Sequence, residues 1–262
     1  MKTFEYVNII KDGFVGIIEF NYAQKLNSLS ECFIDDIIGA LEELNTDETR
    51  CVILRAPIGS KVFSAGHDIK ELPKTQRDPL SYKDPLRMIT RTIQKYPKPI
   101  ITMTQGSVWG GAFEMTMSTD IVISSDKCTF AFTPVNLGVP YNMVGIHNII
   151  RDTGLHVIKE MIFTAKPISA QRALEVGIVN HLVPDAELEQ FTMDMAKLIC
   201  EKAPLAVSVI KEELRVLSEA SPITPDEFER IQGRRRTVYD SDDYQEGLNA
   251  FFEKRKPNFQ GK

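Results

Sequence analysis

Cysteine is scarce. Cys32, Cys51, Cys128 and Cys200 are the whole complement of a 262-residue chain, and no two form a C-x-x-C pair. Neither a thiolate zinc site nor a dithiol redox motif is therefore expected, and the thiols read as reduced and mostly buried. Histidine is equally sparse: His67, His147, His156 and His181 show no H-E-x-x-H spacing, so no metal is expected. No apolar run approaches the roughly 20 residues needed to cross a bilayer. The first residues, MKTFEYVNII, lack the apolar stretch and small-residue cleavage site of a signal peptide, and a soluble, cytoplasmic protein is expected. There is no long basic block, and 31 Lys plus Arg against 36 Asp plus Glu leave a net charge of −5, which disfavours nucleic acid as a partner. Ser64 and His67 lie close in sequence, but no G-x-S-x-G elbow exists to make a serine hydrolase. Tandem repeats and low-complexity segments are also absent.

What is present suits one large domain, or a core with a smaller appendage. Tyr6 to Ile10 and Phe14 to Phe20 are β-rich runs around Lys11-Asp12-Gly13, an opening hairpin. Ser30 is placed to cap a helix in which Phe33, Ile34, Ile37, Ile38, Leu41 and Leu44 recur on one face. CVILR, residues 51 to 55, reads as a short buried strand. The proline-punctuated stretch LPKTQRDPLSYKDP is a candidate pocket lid. Strand Ile100 to Thr104, a helix from about Gly111 to Ser118 and strand Ile121 to Ser124 follow. From about residue 142 the pattern becomes mostly helical, with amphipathic segments marked by Leu188, Phe191, Met195, Leu198 and Ile199, and by Leu205, Val209, Leu214 and Leu217.

Two stretches carry the chemistry. SVWGGAFEM, residues 107 to 115, places Gly110 and Gly111 at a helix start with one acid, Glu114, a turn further on. Glycine lets a substrate atom approach the backbone, and the first N–H groups of a helix lack intrahelical partners and sit at its positive end. The same glycines equally permit close packing of strand on helix. KVFSAGHDIKEL, residues 61 to 72, ends a short apolar step in a sharp turn that would expose the N–H of His67. Two such donors converging on one point would form an oxyanion hole.

Taken together, A-G-x-D-I (Ala65, Gly66, Asp68, Ile69) followed by G-G-x-x-E (Gly110, Gly111, Glu114) resembles the crotonase (enoyl-CoA hydratase/isomerase) superfamily, over nearly the whole chain. The resemblance implies an α/β fold: a crotonase-type ββα spiral core over residues 1–200, holding the CoA and acyl site, and a C-terminal α-helical trimerisation region over 201–262. It implies a homo-oligomer, a trimer or a dimer of trimers, and no cofactor beyond the CoA carried by the substrate. His67 and Gly111 would supply the two amides. The segment KLNSLS, otherwise a plain strand-to-helix loop, is similar to the family's adenine-contacting segment, so that Lys25 and Leu26 would touch CoA together with Ala65, Asp68, Ile69 and Gly110. The ending EGLNAFFEKR, otherwise a solvated tail, implies that Phe251 and Lys254 reach the CoA of a neighbouring subunit, where an ammonium can pair with phosphate. Arg234-Arg235-Arg236 has no such counterpart and reads as a charged helix face.

By the same resemblance, the family's hydratases handle a water with two glutamates, and this chain has one. Twenty residues beyond Glu114, where the second would fall, stands Pro134. A missing acid–base group costs about 10²–10⁴-fold, which leaves a hole without its matched proton carriers. Decarboxylation of a malonyl-type thioester suits that arrangement, because departing carbon dioxide itself generates the enolate. PVNLGVPYN, with SAGHDI and SVWGGAFEM, is similar to the decarboxylating members of the family, which implies methylmalonyl-CoA as substrate, propionyl-CoA as product and Tyr141 as the residue orienting the leaving carboxylate. An ionised Glu114 would repel that carboxylate. It is expected to be turned away, paired with a cation or donor, or protonated, and its role stays open, as does that of the His67 imidazole. The alternatives are hydration or isomerisation with Glu114 as sole acid–base group, and a non-catalytic or RNA-binding relative, which the net charge and the retained glycine motifs oppose.

Overall fold

The computed structural model describes residues 3–72, 82–218 and 225–261. In chain order it sets out β1 (Val7–Asp12), β2 (Val15–Phe20), α1 (Glu31–Asn45), β3 (Cys51–Arg55), β4 (Val62–Ser64), α2 (Pro85–Lys95), β5 (Ile100–Thr104), β6 (Ser107–Trp109) and α3 (Gly111–Met117). There follow β7 (Ile121–Ser125), β8 (Thr129–Ala131), α4 (Met143–Asp152), α5 (Leu155–Thr164), β9 (Ile168–Ser169), α6 (Ala170–Glu175) and β10 (His181–Val183). The chain then continues through α7 (Leu188–Cys200), α8 (Pro204–Ser218), α9 (Pro225–Tyr239) and α10 (Asp242–Phe252).

The strands fall into two sheets, one ordered β1-β2-β3-β5-β7-β10 and a smaller one ordered β4-β6-β8-β9. Each turn of the chain gives a strand to the large sheet, then one to the small sheet, then a helix: β3-β4-α2, then β5-β6-α3. That is the expected ββα spiral. Only β1–β2 in the large sheet and β8–β9 in the small one pair antiparallel. The central parallel strands β3 and β5 are buried on both faces, which is why CVILR reads as an almost unbroken apolar run. Val52, Leu54 and Ile100 face a core shared with α1, α2 and α3, whereas Cys51, Ile53, Ile101 and Met103 face Leu188, Ala196 and Cys200 of α7.

Several local expectations need amendment. Ser30 stands at the N-cap of α1 in extended conformation, but its hydroxyl lies 3.2 Å from Cys32 Sγ, and the Glu31 amide donates instead to Glu71 Oε2 at 2.9 Å. From residue 142 the chain is mostly helical, as expected; the exceptions are β9 and β10, strands of two and three residues, too short to carry a period. Arg235 does not lie on a solvated face: it is buried, with Nε donating to the Pro140 carbonyl at 3.4 Å, while Arg234 and Arg236 are exposed. Most of the candidate lid, residues 73–81, lies outside the described residues. In α8 the apolar stripe is present, yet Leu205 is 82% and Leu217 73% exposed, so within this chain that face covers nothing.

α9 and α10 are held by another small cluster, in which Tyr239, Tyr244 and Leu248 meet Leu72 and Val139. Gly247 of α10 lies against the Leu137 backbone, where a side chain would collide.

Candidate active site

The register of the small sheet positions the site. β4 and β6 run parallel, with Ser64 beside Val108, so the turns that leave their carboxyl ends are neighbours. One turn is Ala65-Gly66-His67-Asp68 and the other Gly110-Gly111. Both need glycine. Gly66 sits at φ +89°, and a Cβ there would come 2.5 Å from the Trp109 carbonyl and 2.9 Å from the Gly111 nitrogen. Gly110 has φ +57° and is pinned by donating to the Ala131 carbonyl at 2.9 Å. A Cβ on Gly111 would lie 3.3 Å from the His67 nitrogen. The amides of His67 and Gly111 are thus side by side. Neither donates to a protein acceptor among the described residues, and Gly111 opens α3, whose first amides are unpaired by construction. The close packing of the glycines and the unbonded state of the two donors therefore come from the same local geometry.

The early loop is strapped across this pair. Ala65 N donates to the Leu26 carbonyl (3.0 Å) and Leu29 N to the Gly66 carbonyl (2.8 Å), while Ser64 Oγ donates to the Asn27 carbonyl (2.6 Å). Leu26 and Asn27 both take positive φ, 54° and 49°, to make the fit. Lys25, Leu26, Ala65, His67, Gly110 and Gly111 are in this way brought together. Asp68 and Ile69 sit beside them with other work to do. The Asp68 carboxylate accepts from Lys70 N at 3.0 Å, and Ile69 packs into the apolar cluster with Leu72.

Glu114 lies one turn into α3, completely buried. The Tyr141 hydroxyl donates to its Oε2, and Oε1 has no hydrogen-bond partner. Burial pushes the carboxyl up to about 7, against the downward pull of the Tyr141 hydrogen bond and the nearby Arg87 charge. Tyr141 is itself driven well above the usual phenol range by burial and by the Glu114 charge, and its ring stands edge-on to Phe132, centroids 4.6 Å apart. Arg87 donates to Asn142 Oδ1 at 2.5 Å, and the same oxygen caps α4 through Gly145 N at 2.8 Å. The lone acid is thus paired with a donor and close to a cation, one of the arrangements the sequence led us to expect. Pro134, the position at which the resemblance would put a second glutamate, is buried and opens a 3-10 turn running to Leu137.

The fold as a whole coincides with that of solved structures. The family model for enoyl-CoA hydratase/isomerase matches residues 11–262. The chain belongs to the enoyl-CoA hydratase/isomerase family. Among curated relatives of that family, it is 68% identical over 259 residues, 99% of each chain, to the methylmalonyl-CoA decarboxylase of Escherichia coli (strain K12). To a probable mitochondrial enoyl-CoA hydratase of Dictyostelium discoideum it is 32% identical over 254 residues, 96% of this chain and 90% of that one. A solved structure of methylmalonyl-CoA decarboxylase complexed with 2S-carboxypropyl CoA superposes with a TM-score of 0.98 at 67% identity, covering 100% of both chains.

Two of the residues expected from the enoyl-CoA hydratase/isomerase ending stand on the far end of α10. Phe251 is half exposed, and Lys254 takes φ 55° just beyond the helix. Among the described residues, the Lys254 ammonium makes no ion pair. Sequence reasoning missed Asp84, Arg87, Asn142 and Asn148, which surround the acid. Two of them had a signal. Asp84-Pro85 is a cap followed by a first-turn proline, and Arg87 falls in the helical spacing of Leu86, Ile89, Thr90 and Ile93, a polar residue where an apolar one is due.

Proposed function

We propose that this protein decarboxylates methylmalonyl-CoA to propionyl-CoA. The observation that carries the proposal is the pairing of two adjacent, unbonded amides with a single buried acid, proline occupying the place of the second. The 68% identity with a methylmalonyl-CoA decarboxylase, over 99% of each chain, supports the substrate.

In this reading the thioester oxygen sits between the amides of His67 and Gly111. As the carbon–carbon bond to the carboxylate breaks, its electron pair enters the carbonyl system, carbon dioxide departs, and the oxygen becomes an enolate oxyanion. Each donor stabilises that charge by roughly 2.7–4 kcal/mol. The bond must stand perpendicular to the thioester plane, and in this reading it is Tyr141 that holds the carboxylate there. When Glu114 is protonated it can donate to the phenol oxygen, which frees the phenol proton for the substrate carboxylate and removes a repelling charge. The enolate carbon then takes a proton from water, leaving hydroxide to be neutralised by the solvent. Lys25, Leu26, Ala65, Asp68, Ile69 and Gly110 border the path for CoA. Phe251 and Lys254 serve the CoA of a neighbouring subunit, within a trimer or a dimer of trimers built on the helical region 201–262 and located in the cytoplasm.

A second reading draws on one feature, the Glu114 carboxyl poised at about 7, which suits a sole acid–base group for hydration or isomerisation. One experiment separates the two. The purified protein is given methylmalonyl-CoA and, in parallel, crotonyl-CoA, and the products are identified by mass. Propionyl-CoA should form, and Tyr141→Phe should lower kcat by about 10²-fold, as for the loss of one oriented donor. Faster hydration of crotonyl-CoA would favour the second reading, and a wild-type rate in Tyr141→Phe would reject its positioning role.

A further inference from the structure

The imidazole of His67 is held at both nitrogens. Nδ1 lies 3.1 Å from the carbonyl of Asp68 and Nε2 3.0 Å from Oδ2 of Asp84. A carbonyl and a carboxylate only accept, so both ring nitrogens must donate, and only the imidazolium carries two N–H groups. The ring is largely enclosed, and Asp84 is 5% exposed. Asp84 is also the N-cap of α2, where Oδ1 accepts from Leu86 N at 2.9 Å and Arg87 N at 3.4 Å.

These contacts close a ring. Asp84 fixes the backbone of Leu86, and Leu86 Cδ2 lies 2.9 Å from where a Cβ on Gly111 would stand. That same point is 3.3 Å from the His67 nitrogen, and the His67 side chain returns to Asp84. We infer that His67 is a positioning residue whose protonated imidazole, clamped to Asp84, fixes the spacing of the two amides. Its side chain acts through Asp84, and its own backbone N–H touches the substrate. The catalytic consequence rests on the decarboxylase reading; the protonation state does not.

The groups around the imidazole are Asp84 from α2, Glu71 from the turn after its own loop and the Asp68 backbone, with Arg87 and Glu114 interacting with Asp84 from beyond. Burial opposes the cation, but the Asp84 hydrogen bond and charge outweigh it, so the His67 pKa is raised above its ordinary value. The sign follows. The clamp is complete at and below the ordinary imidazole value and is lost as pH rises through the raised one.

Nitrogen-15 NMR of the full-length protein tests this directly. Both ring nitrogens of His67 should keep their protons to a higher pH than a free imidazole does. In Asp84→Asn, which keeps a good helix cap, the His67 titration should move down by about one unit or more. The alkaline fall of kcat on methylmalonyl-CoA should move with it, while KM for the thioester changes less than kcat. His67→Gln keeps the backbone amide and should abolish that limb of the profile. An Nε2 that loses its proton at or below the ordinary imidazole value, or an unchanged titration in Asp84→Asn, overturns the clamp even if the protein releases no propionyl-CoA. A pH–rate profile unmoved in both variants overturns its catalytic part.

Discussion

The Tyr141 hydroxyl donates to Oε2 of Glu114, joining the acid one turn into α3 to the residue that leads into α4. The bond does not rescue the carboxylate from its surroundings, since burial still holds the group at about 7. In the unfolded chain a glutamate titrates near ~4.3. Between those two values the folded state binds the proton and the unfolded state has released it, so stability falls as pH rises across the window. The total is on the order of 4 kcal/mol from this one fully buried group. Glu114→Gln keeps an oxygen for Tyr141 and has no proton to lose. Denaturant unfolding at pH 5 and pH 8 should therefore show the wild type losing stability relative to Glu114→Gln by an amount of that order. Parallel behaviour of the two proteins would mean that Glu114 is not held high.

The two glycine turns were legible in the sequence because their demand is local. Gly66 and Gly110 mark backbone that other residues rarely adopt, and Gly111 followed by Ala112 and Phe113 marks a helix start. β3 and β5 of the large sheet were legible for a similar reason, since a strand covered on both faces is apolar throughout. What escaped was pairing across distance. Nothing in the sequence couples His67 to Asp84 or Arg87 to Asn142, because those bonds depend on how α2 lies against the turns. β6 escaped because a three-residue strand has no period. The apolar stripe of α8 was legible but not its exposure, as the spacing of Leu205, Val209, Leu214 and Leu217 says that a face is apolar without saying what covers it.

That exposed stripe bears on assembly. Large apolar patches on a soluble surface mark contacts with other molecules, and burying one leucine fully is worth about 1.5–3 kcal/mol. A carboxylate placed there would have to be desolvated at the contact. Leu205→Glu combined with Leu217→Glu, both changes on side chains that touch no core in this chain, should leave the fold intact by circular dichroism. It should also shift the protein towards smaller species in sedimentation velocity. An unchanged sedimentation profile would remove α8 from the subunit contact.

Gly145 offers the sharpest test of how tightly the acid and the phenol are held. It lies in the first turn of α4, where alanine would ordinarily be favoured over glycine by about 1 kcal/mol. A Cβ at this position, however, would come 2.5 Å from Cε1 of Tyr141 and 2.8 Å from Oε2 of Glu114. The Tyr141 ring cannot retreat freely, being edge-on to Phe132, and Glu114 is enclosed on all sides. Overpacking of this kind costs about 1–3 kcal/mol, enough to cancel or exceed the helix gain. Gly145→Ala should therefore be no more stable than wild type, and it should lose decarboxylation rate because the Tyr141–Glu114 bond is prised apart. Gly233 in α9 has open space where its Cβ would be, so Gly233→Ala supplies the control, gaining roughly 1 kcal/mol with no change in rate. If Gly145→Ala gained as much as Gly233→Ala and kept its rate, the site would be looser than these distances say, and Tyr141 would not be fixed against Glu114.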